Sequence, residues 1–164
     1  NTGVAFTYNE PLVGWEYVRD TVKLVRAEGM KNVLVTNGTA HIEVLGEILP
    51  YIDAMNIDLK GFRDEFYREL GGDLQVVKEF IARSFADCHV ELTTLIVPGK
   101  NDSASDMEDE ARWIASISNE IPLHITRFFP GYHMLDAQPT EVKEVYLLAE
   151  TARKYLQNVF VGNC

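Results

Sequence analysis

The chain has 164 residues, of which 46% are hydrophobic and 10% aromatic, which suits a single soluble domain with a hydrophobic core. Its formal net charge of −10 argues against a protein that binds nucleic acid or an anionic membrane over a broad surface. Because the sequence contains neither an apolar run of transmembrane length nor a signal peptide, we expect no membrane partner and a cytoplasmic location.

The two cysteines, Cys88 and Cys164, are too few for a disulfide framework and do not have the spacing of metal ligands. Such a low cysteine content is typical of a protein from a reducing compartment. The sequence does not begin with methionine and opens almost inside a strand, so we expect it to be part of a longer protein.

Apolar strand-like runs alternate with helical patterns along the whole chain. The predicted strands are 4–6, 32–36, 54–59, 89–97, 122–128 and 158–162. The predicted helices are 12–29, a second from Ile42 that stops at Pro50, 63–70, 74–86, one with a capping box at Ser105 and Glu108, and one with Thr140 as its N-cap. This alternation predicts an α/β fold with a parallel sheet, in a single domain spanning 1–164.

The type of α/β sheet is predicted from strand number and glycine pattern. Six strands are fewer than the eight of a complete barrel. A doubly wound sheet more often carries a glycine-rich phosphate loop after its first strand, and neither GxGxxG nor GxxxxGK[ST] occurs. We therefore expect a partial, open TIM-like (βα) barrel.

Each predicted strand ends in polar or charged residues or in a bend made by glycine or proline. In parallel α/β folds ligands bind at the carboxyl ends of the strands. The first five strand ends read Thr7-Tyr8-Asn9-Glu10-Pro11, Thr36-Asn37-Gly38-Thr39, Asn56-Ile57-Asp58-Leu59-Lys60-Gly61, Val97-Pro98-Gly99-Lys100-Asn101-Asp102 and Arg127-Phe128-Phe129-Pro130-Gly131-Tyr132.

The third strand carries an unusual polar set. Since side chains alternate along a strand, Asn56, Asp58 and Lys60 share one face, and the apolar residues between them share the other. A buried pair of opposite charges costs desolvation, so such a pair indicates a task more often than a stabilising contact. We expect either a site for a zwitterionic ligand, with Lys60 for a carboxylate and Glu10 for an ammonium group, or a salt bridge that lines the barrel mouth.

Read in order, the strand ends resemble those of radical S-adenosylmethionine (SAM) enzymes. "TYNEP" stands where these enzymes carry Gly-Gly-Glu-Pro, and "VTNG", "NIDLKGF", "LIVPGKND" and "ITRFFPGY" follow in the order of the activase-like branch. The chain resembles pyruvate formate-lyase activating enzymes, and more closely the radical SAM member of the AmmeMemoRadiSam set. The resemblance implies a partial barrel that holds SAM and a [4Fe-4S] cluster, cleaves SAM to a 5′-deoxyadenosyl radical and abstracts hydrogen from a substrate.

The resemblance also implies a set of SAM-binding residues. Tyr8, Asn9 and Glu10 would meet the amino group of SAM. Thr36, Asn56 and Asp58 would lie near its carboxylate, where related activases place a monovalent cation, and Lys60 would contact that carboxylate or the substrate backbone. The strands through Leu95 and Val97, and through Arg127 and Phe128, would flank the adenosine.

Some family features differ or are missing from this sequence. Tyr8-Asn9 replaces the glycine pair, and Val35 stands where activases often carry Asp. The CxxxCxxC loop that ligates the cluster is not in the sequence, and the resemblance implies that it precedes Asn1, in a missing first βα unit. We therefore expect the 164-residue chain alone to bind no cluster and to be inactive.

The sequence does not decide between several partners and functions. The resemblance implies a protein or small-molecule radical substrate, with activation of a glycyl-radical enzyme as one possibility, and an electron donor such as flavodoxin or ferredoxin. Two other classes of function fit the residues: an aldolase-like barrel in which Lys60 forms a Schiff base, and a non-catalytic interaction module.

Overall fold

The structure of the chain is a computed structural model that describes residues 2–164. Strands and helices alternate from one end to the other. The strands are β1 (Gly3–Phe6), β2 (Lys31–Thr36), β3 (Ala54–Asp58), β4 (His89–Ile96), β5 (Leu123–Arg127) and β6 (Val159–Gly162). The helices are α1 (Trp15–Ala27), α2 (Ile42–Ile48), α3 (Asp64–Glu69), α4 (Leu74–Phe85), α5 (Ala104–Ile117) and α6 (Val142–Ala152), with 3₁₀ turns at Pro11–Gly14, Leu49–Tyr51 and Tyr132–Met134.

The six strands form one open parallel sheet in which they follow each other in sequence order. The register pairs Phe6 of β1 with Leu34 of β2, and Thr36 of β2 with Ile57 of β3. In the other half of the sheet, Ile96 of β4 pairs with Arg127 of β5. The predicted α/β class is therefore confirmed, and every strand–helix–strand connection joins neighbouring parallel strands, as in a TIM-like barrel.

Burial alternates along the central strands. In β3 and its extension, Met55, Ile57 and Leu59 are buried, whereas Asn56 and Asp58 are half-buried. A doubly wound sheet covered by helices on both faces would bury consecutive residues. The alternation therefore agrees with a barrel-type sheet, in which one face packs against helices and the other carries polar groups.

The residue contacts divide the chain into two compact units. The first contains 2–58 and 73–91, and so holds β1–β3, the start of β4, and helices α1, α2 and α4. Its core is made by apolar side chains from the strands and the helices that cover them: Leu34, Leu45, Ile48, Met55, Ile57, Val77, Phe80 and Ile81.

The second unit contains Leu59–Gly72 and Leu92–Cys164, and so holds most of β4, β5 and β6 with helices α3, α5 and α6. Its core is built in the same way, from Leu92, Ile96, Met107, Ile114, Leu123, Ile125, Val145 and Leu148. Helix α6 contributes Ala149 and Ala152, two small residues on the same face that allow close packing.

Two predicted N-caps were wrong. Ser103, not Ser105, is the N-cap of α5, and its Oγ accepts a hydrogen bond of 3.0 Å from the Asp106 N–H. Glu141, not Thr140, occupies the N-cap position of α6 and makes no side-chain capping bond. The second helix ends at Ile48, just before Pro50 as predicted, and a 3₁₀ turn then carries the chain to Tyr51 with the proline in its first turn, where the missing N–H costs nothing.

Candidate functional site

The Glu10 carboxylate is held at the carboxyl ends of β1 and β2. Its Oε1 accepts hydrogen bonds from the Leu12 N–H at 3.1 Å and from the Thr36 hydroxyl at 2.7 Å. Its Oε2 accepts one from the Asn37 N–H at 2.7 Å. A carboxylate has about four acceptor positions, so one remains on Oε2 for a further donor. The two strand ends thus orient a carboxylate that can still bind an ammonium group.

Thr36 and Asn37 form the turn that holds Glu10. The Thr36 side chain is only 2% exposed, and its hydroxyl also accepts a hydrogen bond from the Gly38 N–H. The Asn37 side chain closes the same turn by accepting the Thr39 N–H at 3.0 Å. In this structure the Thr36 hydroxyl therefore helps to orient the Glu10 carboxylate. Sequence reasoning did not select Asn37 as a site residue, although the "VTNG" motif contains it.

Tyr8 and Asn9 lie on the surface. The Tyr8 side chain is 95% exposed, Asn9 is also exposed, and the peptide bond between them is cis. Glu10, the next residue, is half-buried. An exposed tyrosine at a strand end leaves a phenol ring available to a ligand.

The polar set of the third strand is half-buried, as the alternation predicts. Asn56 and Asp58 lie in β3 within the first unit. Lys60 follows directly and belongs to the second unit, where it is also half-buried. These side chains occupy the face of the strand that is not packed into the core.

In the second unit, the predicted adenosine-flanking residues differ in exposure. Leu95 and Val97 are half-buried at the end of β4. The Arg127 guanidinium donates from Nε to the Thr140 carbonyl oxygen at 2.6 Å and lies 4.6 Å from the centre of the Phe129 ring. Phe128 is 9% exposed and belongs to the core. Its side chain is therefore less accessible than that of Arg127.

Thr140 joins the ends of β4 and β5. Its hydroxyl donates to the Ile96 carbonyl oxygen at 2.6 Å and accepts the Phe128 N–H at 3.2 Å. This explains why it is buried and why it does not cap α6. A threonine after Pro139 is typical of an N-cap, but here two backbone groups distant in sequence bind its hydroxyl instead.

Within residues 2–164, no group of three or more His, Cys, Asp or Glu side chains is arranged to hold a metal ion. Burial, followed by the charges of Asp87 and Asp53, raises the pKa of the Cys88 thiol to about 11, so this thiol stays protonated at neutral pH. Cys164 is exposed near the end of the chain, and both cysteines are free thiols.

A cleft of about 670 Å³ opens in the first unit, where β3 and β4 begin, at the amino-terminal edge of the strands. Its charged residues are already paired. Arg26 donates to the Pro50 carbonyl oxygen at 2.8 Å, Arg83 forms an ion pair with Asp87, and Asp53 pairs with Lys31 at 2.6 Å. These pairings account for the charges of the cleft without a ligand.

The chain is similar in sequence to proteins of a known superfamily. The model of the radical SAM superfamily matches residues 2–114. The chain belongs to this superfamily. Radical SAM proteins use SAM and a [4Fe-4S] cluster. The two separate thiols of the described residues do not fit such a cluster, which needs several thiolates brought together.

Two curated relatives extend the match. An uncharacterized protein of Methanocaldococcus jannaschii is 36% identical over 98% of this chain and 49% of its own length. The pyruvate formate-lyase 1-activating enzyme of Escherichia coli K12 is 30% identical over 61% of this chain and 42% of its own length. The chain thus spans about half the length of the curated relatives that it matches.

Two solved structures share the fold. A domain of a pyruvate-formate lyase-activating enzyme from Bacteroides vulgatus superposes with a TM-score of 0.81 at 21% identity and covers 99% of this chain and 100% of that one. A radical SAM methyltransferase from Sphaerobacter thermophilus gives a TM-score of 0.76 at 13% identity, over 98% of this chain and 50% of that one. In the part of the chain that the structure describes, none of the helices is long and apolar enough to cross a membrane.

Proposed function

We propose that this chain is the SAM-binding core of a radical SAM enzyme of the activase-like branch. The observation that carries the proposal is the Glu10 carboxylate, which is oriented by the Leu12 N–H, the Thr36 hydroxyl and the Asn37 N–H and keeps one acceptor position. An ammonium group bound there gains a charge-assisted hydrogen bond without reorganising the carboxylate. The amino group of SAM has this chemistry.

The remaining polar groups suit the other end of the methionine moiety. Asn56, Asp58 and Lys60 occupy the half-buried positions of β3 and its extension. In our proposal the Lys60 ammonium binds the SAM carboxylate. Asn56 and Asp58 accept hydrogen bonds from the ligand or bind a monovalent cation beside it. Tyr8, Asn9 and the Thr36 turn would complete the site around the amino group, with Leu95, Val97, Arg127 and Phe128 near the adenosine.

The reaction we propose is hydrogen abstraction from a substrate. With SAM and the cluster bound, one electron passed from the donor through the cluster would cleave SAM into methionine and the 5′-deoxyadenosyl radical, which would take the hydrogen atom. We propose that the cysteines which ligate the cluster lie outside residues 2–164, since the described thiols do not fit it. The named function of the Escherichia coli relative supports a protein substrate, and we propose activation of a glycyl-radical enzyme with an electron donor such as flavodoxin or ferredoxin.

The test uses Asp58→Ala and Lys60→Ala in the complete protein. We expect each substitution to weaken SAM binding about ten- to a hundredfold, because each removes one charge-assisted contact worth roughly 1.5–3 kcal/mol. Equilibrium dialysis with labelled SAM measures the affinity, and circular dichroism checks that the fold is intact. Asp109→Ala, which removes a carboxylate from an exposed position of α5, is the matched control. Unchanged affinity in both strand variants would contradict the proposal.

A further inference from the structure

The segment after β4 makes a tight turn that brings a side chain back over the strand end. The N–H groups of Lys100 and Asn101 both donate to the Val97 carbonyl oxygen, at 3.0 and 3.4 Å. Gly99 has φ +73°, a left-handed conformation that glycine adopts without strain, and its N–H donates to Asp102. The turn places the Asn101 side chain inside the second unit, where it is only 4% exposed.

The Asn101 amide joins two strand ends. Its Nδ2 donates to the Lys60 carbonyl oxygen at 2.7 Å and to the Leu95 carbonyl oxygen at 2.8 Å. Its Oδ1 accepts the Val97 N–H at 2.7 Å. Both amide protons and the carbonyl oxygen are therefore engaged, and all three partners are backbone groups of residues that we place in the SAM site.

The backbone of Lys60 is fixed from its other side as well. Its N–H donates to the Tyr67 hydroxyl at 3.0 Å, and the Tyr67 side chain is buried. The next residue, Gly61, leaves room for this arrangement, because a Cβ there would lie 2.9 Å from the Phe66 ring and 3.2 Å from the Asn101 Cβ. Lys60 thus has both of its backbone hydrogen-bonding groups bound by buried side chains.

We propose that Asn101 is a positioning residue that sets Lys60 at a fixed distance from Leu95 and Val97. It acts only through their backbones, since its own side chain is buried and fully hydrogen-bonded. The three side-chain hydrogen bonds of Asn101 form a clamp. The inference rests on the proposed function, because that function gives the clamp a purpose. Lys60, which binds the carboxylate, and the strand beside the adenosine must stay as far apart as the two ends of one SAM molecule. Small displacements of positioned groups are costly in binding.

The chemistry of the clamp requires an amide. Aspartate has nearly the same shape and still accepts the Val97 N–H, but it has no protons for the two carbonyl oxygens and would set a negative charge against them. Asn101→Asp therefore removes the two donated hydrogen bonds and leaves the volume of the side chain nearly unchanged. Asn119→Asp introduces the same charge at an exposed position and is the matched control.

The experiment measures SAM affinity and hydrogen exchange on the complete protein with these two variants. We expect Asn101→Asp to bind SAM about tenfold more weakly, and to exchange faster in the peptides that contain Lys60–Gly61 and Leu95–Val97. We expect Asn119→Asp to change neither. Gly29→Ala, which strains an exposed turn in the first unit, shows whether lost stability alone lowers SAM affinity, and we expect that it does not.

The possible failures can be told apart. If the unsubstituted protein does not bind SAM, the proposed function is wrong and the role of the clamp is wrong with it. If the unsubstituted protein binds SAM and a folded Asn101→Asp variant binds it equally well, only the positioning role is overturned. Should Asn101→Asp not fold, Asn101→Ala removes all three hydrogen bonds of the clamp without adding a charge, and unchanged SAM affinity in that variant overturns the inference instead.

Discussion

Glu110 is a carboxylic acid enclosed by the core of the second unit. It lies on α5, is 2% exposed, and accepts a hydrogen bond of 2.6 Å from the Thr94 hydroxyl. Burial raises its pKa to about 8, and the neighbouring charge of Asp106 acts in the same direction, while the Thr94 bond opposes the shift. At neutral pH the group is therefore mostly protonated in the folded protein and ionised in the unfolded one.

We predict that Glu110→Gln removes a pH dependence from the stability of the protein. Between the unfolded pKa of 4.5 and the folded value of about 8, the folded state binds one more proton, so the free energy of unfolding falls by about 1.4 kcal/mol per pH unit as pH rises. Urea unfolding from pH 5 to pH 8 measures this slope. The glutamine variant should show a slope smaller by that amount. The control Asp109→Asn, which changes an exposed neighbouring carboxylate, should leave the slope unchanged. Equal slopes for Glu110→Gln and the unsubstituted chain would show that Glu110 is ionised when folded.

At the scale of elements, the turn after β2 depends on a glycine. Gly38 has φ +67°, and a Cβ there would lie 3.0 Å from the Ile57 Cγ2 and 3.5 Å from Val77 and Phe80. Gly29, which follows α1, has a similar φ of +70° but nothing within 4 Å of its Cβ position. Both glycines allow a left-handed turn, and only Gly38 also allows close packing.

We predict that Gly38→Ala lowers the free energy of unfolding by about 3 kcal/mol and Gly29→Ala by about 1 kcal/mol. The backbone strain is common to the two variants, and the difference comes from the crowding against Ile57. Chemical denaturation of both variants gives the comparison. Equal losses at the two positions would mean that the core beside Gly38 adapts to an added methyl group.

The order of the elements could be predicted from the sequence because it depends on local patterns. Apolar runs and helical periods place every strand and helix to within a few residues. The N-caps could not all be predicted, since Ser103 and Ser105 are each followed by an acidic residue three positions on. Thr140 shows the second reason, because the backbone groups of Ile96 and Phe128 that bind it lie at the ends of two strands and not in the adjoining helix.

At the scale of the whole molecule, the sequence indicates the carboxyl ends of the strands as the site but not the contacts there. Glu10 could be selected from its motif, but its hydrogen bonds with Thr36 and Asn37 could not, since these residues lie at the end of another strand. Asn101 was missed for the same reason. Its partner Lys60 lies 41 positions away in the chain and approaches it only in the folded second unit.

The structure also offers a second location for a small ligand. The cleft where β3 and β4 begin is lined by Arg26, Asp53 and Cys88, among others, and lies at the opposite ends of the strands from Glu10 and Asp58. Its charges are paired, so we expect it to have no part in SAM binding. An experiment that locates bound SAM therefore tests the central claim.

Titration of SAM into the isotope-labelled complete protein, followed by the backbone amide resonances, is the most direct measurement. We expect saturable shifts of the amides at the carboxyl ends of the strands, with Asn37, Asp58 and Val97 among them, and no shifts around Arg26 and Cys88. Shifts centred on Asp53 and Cys88, or no saturable shifts at millimolar SAM, would contradict the assignment of these strand ends as a SAM site.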